Sequence, residues 1–136
     1  YGARANTGFL IGSEYESLLH PDGTIRVEPT MQVAGHSTVY AVGDLTDVRE
    51  SKRADAARQQ ARVVIANITA QIEGETPDAH YVPTKEWVIL PLGPNMGASQ
   101  LLDSDGQTRI LGAEQTAEIK GTDLMVSVIR SQLNLP

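Results

Sequence analysis

A glycine and an aspartate follow an apolar run near the middle of the chain, and their position suits ligand binding. Gly43 and Asp44 come directly after Thr38–Val42, a segment of β-branched, aromatic and small residues. Such a run is typical of a buried parallel strand, and open α/β sheets bind ligands at the carboxyl ends of their strands. Asp44 is therefore predicted to accept hydrogen bonds from ligand hydroxyls. The alternative is an ordinary turn at the Gly-Asp pair.

A long helix is predicted directly after this pair, over Ser51–Glu73. The segment is rich in Ala, Arg and Gln, and its apolar residues, Ile65 and Ile68 among them, repeat at helical spacing. Ser51 is the predicted N-cap, and Gly74 suits the position just past the end. The first turn would then point its free N–H groups, and the positive end of the helix dipole, toward the region of the Gly-Asp pair.

Two cations stand at the predicted start of this helix, where they oppose the helix dipole. An anion nearby would make Lys52 and Arg53 easier to accommodate there, although capping by Glu50 would also account for them. The first turn therefore either faces an anionic ligand or is capped by Glu50.

A break at Thr76–Asp78 separates this helix from a region with a different pattern. We therefore divide the chain into residues 1–79 and 80–136. The elements predicted after the break are a strand at Trp87–Leu92, a loop at Gly93–Gly97 and an amphipathic helix over Thr122–Leu133. Between them, a hairpin turn at Asp103–Gly106 is predicted to join Gln100–Leu102 to Thr108–Leu111. In the first half, alternating residues predict a short strand over Thr24–Glu28.

Composition excludes several classes of function. The chain has 136 residues, of which 40% are hydrophobic, and 11 Lys+Arg against 17 Asp+Glu give a net charge of -6. An acidic balance without a basic cluster argues against nucleic-acid binding, and no apolar stretch reaches the roughly 18 residues that span a bilayer. The lack of cysteine excludes disulfides and thiol chemistry within the chain. The three histidines lack metal-ligand spacing, so neither a metal site nor a catalytic side chain is predicted.

The chain opens at Tyr1 in what reads as a loop, with neither an initiator methionine nor a recognisable leader. We therefore expect it to be the tail of a longer protein. The lack of cysteine fits a cytoplasmic location. Peripheral contact with a membrane surface is a weaker expectation, because the final amphipathic helix has few basic neighbours.

Three motifs occur in a specific order along the chain. They are the loop Arg4–Leu10, the strand Thr38–Asp44 ending in A-x-G-D, and the helix Lys52–Ile68. In this order they resemble the C-terminal part of FAD-dependent pyridine nucleotide oxidoreductases, closest to the type II NADH dehydrogenase and apoptosis-inducing-factor-like branch. Gly93–Gln100 resembles a turn in the small C-terminal domain of that branch. Ala5 departs from the pattern, since the family's loop usually has proline there.

The resemblance implies a fold and a cofactor site. The fold is α/β to α+β: residues 1–79 would be the C-terminal segment of an FAD-binding domain, and residues 80–136 a small α+β C-terminal domain. Asp44, presented by Gly43, would hold the ribityl chain or the adjacent pyrophosphate of FAD. Backbone amides near Arg53 and Ala54, with Lys52 in the same turn, would stabilise negative charge on the reduced flavin.

The activity implied by the resemblance is hydride transfer from NADH or NADPH to flavin, followed by electron transfer to a quinone or another small acceptor. The family's glycine-rich motifs for FAD and for NAD(P)H are absent from this sequence. The chain alone is therefore expected to be inactive, and to self-associate because the strand at residues 38–42 lacks flanking strands. Two alternatives remain open: a non-enzymatic dimerising module, and a flavoprotein of the ferredoxin reductase type.

Overall fold

A computed structural model describes residues 4–83, 86–121 and 123–135, which form two compact units. One unit lies within Tyr1–Thr84 and the other within Lys85–Pro136. The segment that follows the long helix still belongs to the first unit, because the Tyr81 N–H donates to the Pro29 carbonyl at 2.8 Å. The assignment of residues 1–79 and 80–136 to an FAD-binding domain and a small C-terminal domain stays a prediction.

The first unit consists of turns and single β-bridges packed against one long helix. Its apolar core contains Ile25, Val33 and Ala41, surrounded by partly buried leucine, valine and tyrosine side chains. Isolated bridges connect the core segments, and Ile25 takes part in two of them. Short 3-10 turns occur at Gly8–Leu10, Glu16–Leu18 and Gly43–Leu45.

Neither strand predicted in the first unit forms a continuous strand. Thr24–Glu28 contributes only single bridges, and the buried parallel strand predicted at Thr38–Val42 is wrong. Its one bridge is antiparallel, between Gln32 and Tyr40, and Thr38 is exposed. A strand is stabilised by hydrogen-bonded neighbours, and within residues 4–83 only the short segment around Gln32 pairs with this one.

The predicted long helix is confirmed as α1, which spans Ala54–Ile72. It begins later than predicted, because Arg53 rather than Ser51 occupies the N-cap position. Its end agrees with the prediction: Gly74 has φ +80° and donates its N–H to the Gln71 carbonyl at 3.2 Å. This is the usual glycine-containing stop of a helix.

The face that α1 buries is unexpected. The buried residues are Ala56, Gln60 and Asn67, two of which are polar. The isoleucines that suggested an apolar face lie on the outside instead, with Ile65 64% exposed and Ile68 41% exposed. Polar side chains therefore fix α1 to the rest of the unit.

The second unit is an antiparallel three-stranded sheet in the order β1-β2-β3 with a helix against it. Its strands are β1 Val88–Pro91, β2 Gly97–Leu102 and β3 Thr108–Leu111. These three strands confirm the strand and the hairpin predicted in this part of the chain. This sheet makes the architecture α+β.

Two helices complete the second unit. The first was not predicted, and the second lies within the predicted helix Thr122–Leu133, of which Thr122 is outside the described residues, but is shorter. Helix α2, Ala113–Lys120, was missed although its residues favour helix and glycines flank it. Helix α3 spans only Val126–Gln132, because Leu124 and Met125 have φ values of 55° and 68°, which no helix allows. Among the described residues, no helix is long and apolar enough to cross a membrane.

Candidate functional site

The Gly-Asp pair forms a tight turn whose backbone is fixed from two sides. Gly43 has φ +83°, a conformation that favours glycine. Its N–H donates to Gln60 Oε1 at 2.6 Å, and its carbonyl accepts from the Thr46 hydroxyl at 2.9 Å. Asp44 comes next and is exposed. The turn thus presents a carboxylate to solvent from a well-anchored backbone.

Asp44 lies in an open cleft of about 470 Å³ in the first unit. The cleft is lined by Arg4, Ala5, Asn6, Asp22, Thr24, Asp44, Leu45 and Lys52. The carboxylate of Asp22 accepts hydrogen bonds from the Thr24 N–H at 2.9 Å and its hydroxyl at 2.7 Å. These bonds lower the pKa of Asp22. The cleft therefore combines hydrogen-bond acceptors with two cations, a composition that suits a polyhydroxylated, partly anionic ligand.

The predicted site residues fall into two groups. Asp44 and Lys52 line the same cleft, and Gly43 supports the turn that carries Asp44. The Lys52 ammonium donates to the carbonyls of Thr46 at 2.7 Å and Val48 at 3.1 Å, so it also holds the loop after the turn.

Arg53 and Ala54 stand at the start of α1 and are not among the described residues that line this cleft. The charge of Arg53 acts on Tyr81, whose pKa it lowers slightly against a larger opposing effect of burial. The cofactor-binding roles of all five residues remain predictions.

Three further residues support the turn and were missed from the sequence as members of the site. Gln60 is 2% exposed and contacts both Gly43 and Glu50. Glu50 in turn accepts a hydrogen bond from the Tyr81 hydroxyl at 2.7 Å. The sequence signal was weak: a glutamine in a helix rich in glutamine gives no sign that it is buried.

The histidines lie in loops, as predicted, but two of them have partners. His20 Nε2 lies 3.2 Å from Asp47 Oδ2, and Asp47 Oδ1 accepts from the Val27 N–H at 3.0 Å. The ring of His36 packs against Tyr15 with centroids 4.8 Å apart. Among residues 4–83, 86–121 and 123–135, no group of three His, Asp or Glu side chains is arranged to hold a metal ion.

Comparison with known proteins finds oxidoreductases among the proteins that this chain resembles. No protein-family model matches it. It is 28% identical over 130 residues to the FAD-dependent oxidoreductase FVFD30 of Flammulina velutipes, a match that covers 96% of the chain and 40% of that protein. The chain is thus similar over nearly its whole length to an FAD-dependent oxidoreductase, the class that its three motifs resemble.

Two other relatives narrow the branch. The chain is 38% identical to ferroptosis suppressor protein 1 of Homo sapiens over 100 residues, covering 70% of the chain and 26% of that protein. It is 32% identical to apoptosis-inducing factor homolog B of Dictyostelium discoideum over 126 residues, a match that covers 91% of the chain and 32% of that protein. The predicted likeness to the apoptosis-inducing-factor-like branch is therefore confirmed. The chain spans 26% to 40% of the length of these three curated relatives.

Proposed function

We propose that this chain is the C-terminal part of an FAD-dependent NAD(P)H oxidoreductase and supplies part of its flavin site. The observation that carries the proposal is the anchored Gly43–Asp44 turn, whose carboxylate shares a cleft with Lys52. The motif order and the relatives support the same assignment. The finer fold follows from it: the first unit would be the end of an FAD-binding domain, and the second unit a small C-terminal domain.

The residues of the cleft fit the proposed cofactor. Asp44 would accept hydrogen bonds from ribityl or ribose hydroxyls, as an exposed carboxylate on a fixed turn can. Lys52, which is anchored to two backbone carbonyls, would place a positive charge where phosphate or reduced flavin carries negative charge. The first N–H groups of α1, at Ala54 and beyond, would add the positive end of the helix dipole.

When bound, FAD would accept hydride from NADH or NADPH and pass electrons on to an acceptor such as a quinone. The chain's own residues would bind and orient the flavin and adjust its local electrostatics. The chain alone would be inactive, because it carries no glycine-rich dinucleotide motif. We propose a cytoplasmic location for the intact protein, with peripheral contact at a membrane surface.

The visible absorbance spectrum of the intact protein tests this function. Flavin bands that bleach when NADH or NADPH is added without oxygen are the expected result. Adding a quinone afterwards should restore the bands. A folded, colourless intact protein that takes up no added FAD would overturn the proposal.

Substitution of the exposed carboxylate tests the site itself. Asp44→Ala in the intact protein should weaken FAD binding about tenfold or more, the size of hydrogen bonds to a charged group, without unfolding it. Asp78→Ala is the matched control, because Asp78 is exposed in the segment after α1. Equal FAD affinity in the two variants would remove Asp44 from the site.

A dimerising module is the second candidate function, and one surface favours it. The sheet face that carries Val88, Leu90 and Ile110 exposes these apolar side chains around Gln100, and Ile110 is 70% exposed. We also propose that the isolated chain self-associates through Thr38–Val42, which has one bridged partner. Light scattering of the isolated chain tests both surfaces. Ile110→Lys should reduce association through the sheet face, and Thr38→Lys should reduce association through Thr38–Val42. A monomeric wild-type chain would contradict both proposals.

A further inference from the structure

A hydrogen-bond relay connects the backbone N–H of Gly43 to the end of the first unit. It consists of the side chains of Gln60, Glu50 and Tyr81. Gln60 Oε1 accepts from the Gly43 N–H at 2.6 Å, and Gln60 Nε2 donates to Glu50 Oε1 at 2.7 Å. The Tyr81 hydroxyl donates to the other oxygen, Glu50 Oε2, also at 2.7 Å. Gln60 and Tyr81 are 2% and 7% exposed, so this relay is largely shielded from water.

Only one orientation of the Gln60 side-chain amide satisfies the hydrogen bonds of the relay. An ionised carboxylate only accepts hydrogen bonds, so Glu50 requires a donor from each neighbour. The Tyr81 hydroxyl is protonated at physiological pH and donates to Glu50 at 2.7 Å. The Nε2 group of Gln60 must therefore face Glu50, which turns Oε1 toward the Gly43 N–H. Each hydrogen bond of the relay then joins a donor to an acceptor.

The orientation of Gln60 has a direct consequence for the turn. The Gly43 N–H is held by Gln60, and the Gly43 carbonyl is held by Thr46 on the other side. Because glycine has no side chain to restrict its backbone, these two contacts decide how the following peptide lies. The position of the Asp44 carboxylate in the cleft depends on that peptide.

We propose that Gln60, oriented by Glu50 and Tyr81, is a positioning residue that sets the Asp44 carboxylate for flavin binding. This inference rests on the proposed flavin site. Gln60 does not line the cleft of Asp44, so it acts through the Gly43 backbone. The relay explains why a buried glutamine occupies a helix face that aliphatic residues could fill.

Exchanging the carboxylate of Glu50 with the amide of Gln60 tests the relay in the intact protein. Gln60→Glu alone places two carboxylates against each other, and FAD affinity should fall about tenfold or more. In the double variant Glu50→Gln with Gln60→Glu, the new amide can donate to the new carboxylate, which still accepts from Gly43. The double variant should bind FAD within about threefold of the wild type.

The matched control is Gln71→Met, compared with Gln60→Met. Gln71 lies on the same helix and also makes two hydrogen bonds, from the Tyr40 hydroxyl at 2.9 Å and to the Ser37 carbonyl at 2.7 Å. Only Gln60→Met should weaken FAD binding and change the visible circular dichroism of the bound flavin. Wild-type FAD affinity in folded Gln60→Met, or a double variant no better than Gln60→Glu, would overturn the proposal.

An NMR measurement separates failure of this inference from failure of the proposed function. The Gly43 amide proton resonance should shift in Gln60→Met and Gln60→Glu, return in the double variant, and stay unchanged in Gln71→Met. If the wild-type protein binds no flavin but these shifts occur, the relay exists and the flavin function is wrong. If flavin binds and the Gly43 amide proton resonance is unchanged in the Gln60 variants, the positioning role is wrong.

Discussion

Buried polar side chains fix the long helix to the rest of the first unit, whereas a backbone ladder holds the strands of the second unit together. In the first unit, buried Gln60 and Asn67 reach from α1 to segments far away in sequence. In the second unit, β1, β2 and β3 pair as consecutive antiparallel strands. A ladder repeats one contact many times, so it tolerates local change. A side-chain bridge is a single contact, and its loss exposes the groups it satisfied.

The second unit nevertheless has one point where backbone and side chain approach very closely. A Cβ atom added at Gly97 would lie 2.5 Å from both the Leu90 carbonyl oxygen and Thr116 Cγ2. Gly97→Ala should therefore destabilise the second unit by about 3 kcal/mol, the upper end for overpacking. Trp87, the only tryptophan, lies in this unit, so its fluorescence during urea unfolding reports the change.

The control for this prediction is Gly8→Ala, because a Cβ atom at Gly8 would meet nothing within 4 Å. The Trp87 transition of this variant should match that of the wild type. A Gly97→Ala variant with the wild-type midpoint would show that the sheet and α2 can separate at little cost.

The corresponding weak point of the first unit is Asn67, which is 1% exposed. Its amide donates to the carbonyls of Thr30 at 3.0 Å and Ala79 at 2.8 Å, and its oxygen accepts from the Ala79 N–H at 2.9 Å. Asn67→Ala leaves these backbone groups without their partner and should cost about 2 kcal/mol.

The helical circular dichroism signal should then melt at lower urea concentration while the Trp87 transition stays in place. Asn95→Ala, in the exposed loop between β1 and β2, is the matched control and should change neither signal. A simultaneous shift of both transitions in Asn67→Ala would mean that the two units do not unfold separately.

This contrast also explains what the sequence could predict. The strands of the second unit were found because each pairs with its neighbour across a short turn, so local pattern determines them. The glutamine relay was missed because Gln60 meets residues 17 and 10 positions away, and Tyr81 meets Glu50 31 positions away. The Gly-Asp turn was found by its motif, but the strand expected before it has too few paired neighbours to form.

A buried hydroxyl pair in the second unit offers a smaller effect of the same kind. Ser99 Oγ and Thr116 Oγ1 lie 2.8 Å apart, and both residues are buried. Thr116→Val should cost about 1 to 2 kcal/mol, because it leaves the Ser99 hydroxyl without its partner. Adding Ser99→Ala should recover most of that loss, as seen in the Trp87 urea midpoint. A double variant less stable than the single one would show that packing rather than the hydrogen bond matters there.

Substitution of Tyr81 should change the stability of the first unit least at neutral pH, and it should have a separate effect at alkaline pH. The pKa of Tyr81 is raised from 10.0 to about 12, chiefly by burial and next by its hydrogen bond to Glu50. The unfolded chain ionises this tyrosine first, so its stabilising contribution is complete below pH 10 and is lost as the pH rises toward 12. Tyr81→Phe should lose less stability than the wild type between pH 8 and about pH 11, in urea unfolding followed by helical circular dichroism. The other tyrosines are common to both proteins and serve as the internal control. An equal alkaline loss in the two proteins would mean that Tyr81 is not protected from solvent and that its pKa is not raised in the folded protein.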